Sequence, residues 1–86
     1  MLRITQSSTV PLTTLHLVGK LLKPWVPEVQ RATTDALRDG AVQLNLRELT
    51  FADEAGIQLL LHLRAQGVQL SEVTPLIRGL LRRAGD

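Results

Sequence analysis

Residues 42–56 read VQLNLRELTFADEAG, and this stretch contains the change of hydrophobic period that decides the fold. Its first residues alternate between apolar and polar side chains, which is the pattern of a strand with one buried face. Asp53 then occupies the position of a helix N-cap, and Glu54 lies in the first turn, where a carboxylate suits the helix dipole. Leucines at helical spacing continue to Gln66. The stretch therefore predicts a strand followed by an amphipathic helix.

The same two patterns extend outward in both directions. Upstream, short alternating segments flank the turn-forming residues 7–11, and prolines that suit a helix start precede a helical pattern that stops at Gly40. Downstream, Gly67 ends the central helix and Thr74-Pro75 opens a last one. The predicted elements are, in order, strands over 2–4 and 14–18, a helix ending at Gly40, a strand over 41–47, a helix from Asp53 to Gln66, a strand over 68–73 and a helix from Pro75 to Gly85.

This β-β-α-β-α-β-α order predicts an α/β fold. Strand–helix–strand alternation implies right-handed parallel crossovers, and the first two strands are close enough to form a hairpin. Central parallel strands that are covered on both faces are continuously apolar, whereas these strands alternate. We therefore expect a two-layer, mixed four-stranded sheet with helices mainly on one face. The other face is expected to be polar and largely open, and to be lined by Gln43, Asn45, Arg47 and Gln69.

The composition indicates one small domain, residues 1–86, and argues against several functional classes. With 86 residues and 44% apolar side chains, the chain is too short for a second domain and too apolar for disorder. A net charge of +2 does not suggest nucleic-acid binding, and the absence of cysteine excludes disulfides and thiolate metal sites. No run approaches the ~18 apolar residues of a membrane span, and the N-terminus lacks the apolar run of a signal peptide. The expected location is the cytoplasm.

The sequence offers few groups for catalysis or for a metal or cofactor. None of Ser7, Ser8 and Ser71 lies in the strand–turn–helix elbow that exposes a nucleophilic serine. The positions three and four residues from His62 hold no carboxylate, so no metal site is predicted. Glycine-rich phosphate-binding motifs are also absent. We therefore expect no catalytic residues, no metal and no cofactor, and interaction with a partner becomes the default function.

Two features of the sequence leave alternatives open. Arg78, Arg82 and Arg83 lie off the apolar stripe of the last helix, where they either contact an anionic partner or form an ordinary solvated face. The second interpretation is the more typical one. Trp25 is either a core anchor, which is the commoner role, or a contact for a partner.

Residues 42–56 resemble the STAS domain, the sulfate-transporter and anti-sigma-factor-antagonist family. The usual family pattern is an apolar strand, Asp-Leu-Ser, a short spacer, Phe-hydrophobic, then Asp-Ser-Ser-Gly and a leucine-rich helix. Leu17-Val18-Gly19 upstream, and Gly67 and Pro75 downstream, also fall at family positions. The resemblance covers nearly the whole chain and implies the same order of strands and helices.

The resemblance also shows where this chain departs from its family. In the antagonist branch, an anti-sigma kinase phosphorylates the second serine of Asp-Ser-Ser-Gly, which switches off binding to that kinase. This chain has Asp53-Glu54-Ala55-Gly56, so Ala55 occupies the phosphoacceptor position and has no hydroxyl group. Asn45 also replaces an aspartate that is common at the end of the third strand. The usual switch is therefore not expected at this loop, while the fold and a docking role are.

The function that the resemblance implies is a bacterial, cytoplasmic interaction module in transcription regulation. It would dock through the loop of residues 50–56 and the start of the following helix. The implied partner is an anti-sigma factor or a related kinase, and the alternative is the ATPase of an ABC-type lipid or anion transporter. A homodimer also stays open. The implied partner-binding residues are Thr50, Asp53, Glu54, Ala55 and Gly56.

The two acidic residues of this loop each have a second interpretation. Glu54 either mimics a fixed phosphorylated state or simply suits the helix dipole, a gain of about 0.3–1 kcal/mol. The dipole is favoured, because Glu54 is the neighbour of the acceptor position and not the acceptor itself. Asp53 either caps the helix or contacts a partner, and these roles are compatible. Both carboxylates argue against a third idea, the binding of an anion at this helix start.

Overall fold

The structure is a computed structural model that describes residues 2–9 and 11–85, and it consists of five strands and three α-helices. A single turn of 3-10 helix, Lys23–Trp25, leads into the first α-helix. The elements are, in chain order, β1 (Leu2–Thr9), β2 (Leu12–Leu21), α1 (Val26–Leu37), β3 (Ala41–Asn45), β4 (Leu49–Ala52), α2 (Glu54–Ala65), β5 (Gln69–Ser71) and α3 (Pro75–Gly85).

The strands form one mixed sheet around β2. The order across the sheet is β1-β2-β3-β5, with β1 antiparallel to β2 and the other pairings parallel. β4 pairs with the last part of β2, beyond the point where β3 stops pairing. This arrangement confirms the predicted α/β class with a mixed sheet.

The predicted strand count was wrong, because β4 was not anticipated. Leu49 and Ala52 are buried while Thr50 and Phe51 between them are exposed, so β4 lacks the alternating pattern that reveals a strand. β4 exists because β2 is ten residues long and can pair with two short strands in succession. β3 pairs with β2 as far as His16 and β4 pairs with it from Gly19, and the register of this second pairing shifts between Gly19 and Lys20.

The turn predicted over residues 7–11 is also shorter than expected. β1 continues through Ser7 and Ser8 to Thr9, and these residues pair with the first residues of β2. The hydroxyl groups of Ser8 and Thr13 lie 3.4 Å apart across the hairpin. Polar residues suit this end of the hairpin because β1 is exposed there. Val10 lies outside the described residues.

The two faces of the sheet differ as the alternation predicts. Leu15, Leu17 and Leu44 on one face are buried, and all three helices contribute buried side chains to the same core. On the other face, Gln43 and Asn45 are half-buried and Gln69 is exposed, and Gln43 lies opposite Gln69 while Asn45 lies opposite Ser71. Arg47 lies beyond the end of β3, where its backbone N–H donates to the Asn45 side chain over 3.0 Å. Across residues 2–9 and 11–85, no helix has the length and apolar character that a membrane crossing requires.

Candidate functional site

The residues predicted to bind a partner lie where β4 passes into α2. Thr50 belongs to β4, and its hydroxyl donates to the carbonyl oxygen of Gly19 over 3.0 Å. Asp53 alone separates the strand from the helix, and the next three residues form the first turn of α2. The predicted loop over 50–56 is therefore mostly regular structure, since β4 could not be recognised from its pattern.

Asp53 holds two parts of the chain together at this junction. Its Oδ1 accepts a hydrogen bond from the Gly56 N–H over 2.9 Å, which is the N-cap interaction of α2. Its Oδ2 accepts one from the Lys23 N–H over 2.8 Å, and its own N–H donates to the carbonyl oxygen of Leu21 over 3.1 Å. Both carboxylate oxygens are thus engaged with backbone, and the side chain is half-buried. Asp53 therefore acts on the site by fixing its backbone.

Gly56 lets the helix approach β2 closely. A Cβ atom at this position would lie 2.5 Å from the carbonyl oxygen of Leu21 and 2.9 Å from its side chain. Gly56 itself is buried, so it offers no surface to a partner. The first turn of α2 is consequently seated directly on the end of β2.

The accessible part of the junction is a surface with polar and apolar components. Glu54 is exposed, Ala55 is half-buried, and Phe51 is 40% exposed, one of two large apolar side chains of the described residues, with Leu76, that are exposed. We call Phe51, Glu54, Ala55, Gln58 and Leu80 the α2 N-terminal surface. It borders two shallow grooves of about 670 and 450 Å³, one on the Phe51 side toward α3 and one on the Lys23 side.

Sequence reasoning did not name Phe51, Gln58 or Leu80 as contacts of this surface, and it did not foresee the bond between Lys23 and Asp53 beside it. Phe51 was not considered as a contact, because its exposure depends on the unrecognised strand β4. Lys23 meets Asp53 only through folding, since 30 residues separate them. An aromatic residue next to the family loop could have suggested a contact for a partner. Its exposure, however, follows only once the bounds of β4 are known.

Glu54 is the one charged residue of the α2 N-terminal surface, and it forms no ion pair with the described residues. Within the described part of the chain, the single ion pair joins Arg38 to Asp35 over 3.8 Å, on α1 and the turn that follows it. Glu54 therefore has no basic group of the described residues within 4.0 Å. Its carboxylate is available to a basic group on another molecule.

The structure brings one serine and one histidine together, on the open face of the sheet. Ser7 Oγ lies 3.5 Å from His16 Nε2, and the exposed Ser7 and the half-buried His16 lie on the same side of the hairpin. Neither residue lines the grooves beside α2, and the hydrogen bonds of the described residues include no carboxylate that orients the His16 ring. A nucleophilic site typically has a base that a third group orients, and this pair shows no such group among the described residues. Among residues 2–9 and 11–85, no cluster of three metal-ligating side chains occurs.

Comparison with known proteins places this fold among relatives. A family model described as "Mlab, STAS domain" matches residues 4–85. The unphosphorylated form of the anti-sigma factor antagonist SpoIIAA superposes with a TM-score of 0.68 at 20% identity, over 95% of this chain and 82% of that one. The phosphorylated form of SpoIIAA, described as a Bacillus cell fate determinant, gives 0.69 at 20% identity, over 96% and 84%.

A third structural relative is the STAS domain of an antisigma-factor antagonist from Rhodobacter sphaeroides. It superposes with a TM-score of 0.62 at 16% identity, over 86% of this chain and 92% of that one. No curated protein sequence matches this chain significantly. At these identities the superpositions show the fold, and the family model covers nearly all of the sequence. The chain therefore belongs to the STAS domain family.

Proposed function

We propose that this STAS domain is a non-enzymatic interaction module that docks on a protein partner through the α2 N-terminal surface. The observation that carries the proposal is the exposed Phe51 beside the unpaired Glu54, on a junction whose backbone Asp53 holds in place. Protein interfaces typically combine an aromatic anchor with a polar rim, and this surface offers both.

The Asp53 contacts favour tight docking because they order the surface before a partner arrives. A binding surface that is already ordered loses less conformational entropy on association. Asp53 fixes the first turn of α2 and the Lys23 backbone at once, so the two grooves beside Glu54 keep a constant shape. Its role in docking is therefore indirect.

Docking at this surface would not be switched by phosphorylation at residue 55. Ala55 has no hydroxyl group to accept a phosphoryl group. The N–H groups at the start of a helix have no partner within the helix and can attract an anion. At this helix start, the Gly56 N–H already donates to Asp53. We propose that the module is constitutively competent and that the supply of the protein or its partner sets the output.

The proposed partner class is supported by the family and its structural relatives. The structural neighbours include anti-sigma factor antagonists, which supports an anti-sigma factor or a related kinase as the partner and transcription control in the bacterial cytoplasm as the setting. The ATPase of a membrane transporter is the alternative partner, and it would use the same surface.

The proposal is tested by quantitative affinity capture from the native host with matched surface variants. Ala55→Glu and Phe51→Ser alter the α2 N-terminal surface, and Thr34→Glu, on the exposed face of α1, is the control. Capture of an anti-sigma factor or kinase should fall by about tenfold in each surface variant and should be unchanged in the control. Circular dichroism establishes that all three variants are folded.

Two results would contradict the proposal. Undiminished capture of the same partner by both surface variants would show that docking occurs elsewhere. Capture of a transporter ATPase, lost in the surface variants, would keep the docking surface but replace the assignment to transcription.

A further inference from the structure

We propose that the groove between α3 and the free edge of β5 binds an acidic peptide segment of a protein partner, in extended conformation, as an added strand. This groove, which we call the β5-edge groove, has a volume of about 830 Å³. Its lining includes Arg64, Leu70, Val73, Arg78, Leu81 and Arg82, and it shares no residue with the α2 N-terminal surface. The inference is therefore independent of the proposed function.

The first observation is the unpaired strand edge. β5 is the outermost strand of the sheet and pairs only with β3 among the described strands. The carbonyl oxygen of Ser71 accepts from the Leu46 N–H over 2.9 Å, so this group points toward the interior of the sheet. Because backbone groups of successive strand residues point to opposite edges, the N–H and C=O of Leu70 point outward. An exposed donor and acceptor in a strand edge are a template for pairing with another chain.

The second observation is the charge of the groove. Arg64 comes from α2, and Arg78 and Arg82 lie one helical turn apart on α3. All three are exposed, and no carboxylate of the described residues lies within 4.0 Å of them. Among residues 2–9 and 11–85, no acidic residue lines the groove, and Glu72, which follows β5, is exposed outside it. Three guanidinium groups from two helices therefore lie around the edge of β5, and these groups attract carboxylates.

The third observation distinguishes a peptide from a free anion. Leu70 and Val73 are half-buried and Leu81 is buried, so the groove has an apolar floor between its arginines. A phosphate ion would not use that floor, whereas a strand with alternating acidic and apolar side chains would use both. A lipid headgroup, like a phosphate ion, has no main chain that could pair with the open edge at Leu70. The three features together fit an extended acidic segment.

The structure also divides the arginines of the last helix. Arg78 and Arg82 line the β5-edge groove, whereas Arg83 lies at the groove on the Phe51 side. Arg64 lines the same groove as Arg78 and Arg82. The sequence did not predict this proximity, because Arg64 lies on another helix. The interpretation that arginines contact an anionic partner therefore applies to Arg64, Arg78 and Arg82, which come together only in the folded protein.

The test is a selection of random peptides, about eight residues long and displayed on phage, against the whole protein. We expect selected peptides to be enriched in glutamate or aspartate alternating with apolar residues. The triple variant Arg64→Gln, Arg78→Gln, Arg82→Gln should bind a selected peptide about tenfold more weakly, since each exposed contact contributes modestly. The control with the same charge change, Arg3→Gln, Arg31→Gln, Arg47→Gln, should bind it as tightly as the unmodified protein, because these exposed arginines lie outside the groove.

A second measurement reports the added strand directly. Hydrogen exchange of the Leu70 amide should slow by about tenfold when the selected peptide is bound, because the peptide would accept its hydrogen bond. Inorganic phosphate, titrated alone, should leave that exchange unchanged.

Three results would overturn the proposal. The first is a selection without acidic enrichment, which would indicate that the arginines only keep the strand edge solvated. The second is equal loss of binding in the two triple variants. The third is phosphate binding as tight as peptide binding, with no protection of Leu70, which would identify a simple anion site.

Discussion

Asp53 is the residue on which the candidate site depends most. Its two carboxylate oxygens accept the backbone N–H groups of Gly56 and Lys23, at 2.9 and 2.8 Å. The first of these bonds is local and was predictable as a helix cap. The second joins segments 30 residues apart and closes the 3-10 turn onto the start of α2.

Replacing Asp53 should destabilise the protein in two separable steps. Asp53→Ala removes both bonds and should lower the free energy of unfolding by about 2 kcal/mol, roughly 1 from the cap and 1 from the bond to Lys23. Asp53→Ser keeps a capping oxygen but is too short to reach Lys23, so it should cost about 1 kcal/mol. Urea denaturation measures both. Equal costs for the two variants would show that the Lys23 bond contributes nothing.

The side chain at residue 55 bears separately on helix stability and on the proposed absence of phosphorylation. Its methyl group lies half-buried in the first turn of α2, where a hydroxyl would be needed for phosphorylation. Alanine is the best helix former, so the substitution is compatible with the helix. Under the proposed function, this residue affects regulation and leaves the architecture unchanged.

At the scale of the elements, the position of α2 is set by its close approach to β2. Gly56 is the point of contact, with no room for a Cβ atom beside the Leu21 carbonyl oxygen. Asp53 reinforces the contact through its own N–H, which donates to the same oxygen over 3.1 Å. The helix and the strand therefore act as one unit beneath the α2 N-terminal surface.

Alanine at two helical glycines should have opposite effects on stability. Gly56→Ala should lower the free energy of unfolding by about 2 kcal/mol, because the backbone oxygen of Leu21 cannot move aside as a flexible side chain would. Gly79→Ala, in α3, should raise it by about 1 kcal/mol, because no atom lies within 4 Å of the new Cβ and alanine favours the helix. Thermal and urea unfolding of both variants measure this pair. A stabilising Gly56→Ala would contradict the contact.

At the scale of the whole molecule, one core connects all three helices to one face of the sheet. The buried aliphatic side chains form a single cluster, and Trp25 packs against it from the 3-10 turn as a partly buried residue. The α2 N-terminal surface and the β5-edge groove are built from different residues around this core. The molecule can therefore present two separate surfaces at once.

A single core predicts cooperative unfolding. Trp25 is the only tryptophan, so its fluorescence reports the 3-10 turn, while far-ultraviolet circular dichroism reports the helices. Both signals should change at the same urea concentration, because small domains with one core unfold in two states. A fluorescence transition at distinctly lower urea would show that the turn detaches before the core unfolds.

The sequence by itself determined most of the local structure and the fold class. Alternation in residues 42–46 and helical spacing after Asp53 depend only on which side of each element is buried. The apolar residues therefore repeat along the chain with the period of a strand or of a helix. The same locality made the Asp53 cap predictable. The order of elements then restricted the topology through the handedness of the crossovers.

Only the tertiary structure decided which distant residues meet. β4 is a strand because β2 extends far enough to pair with it, Asp53 reaches Lys23 because α2 is seated on β2, and Arg64 joins Arg78 and Arg82 because two helices flank β5. These contacts depend on packing between segments far apart in the chain, so the local pattern of apolar residues does not predict them. Both candidate surfaces are therefore properties of the folded molecule.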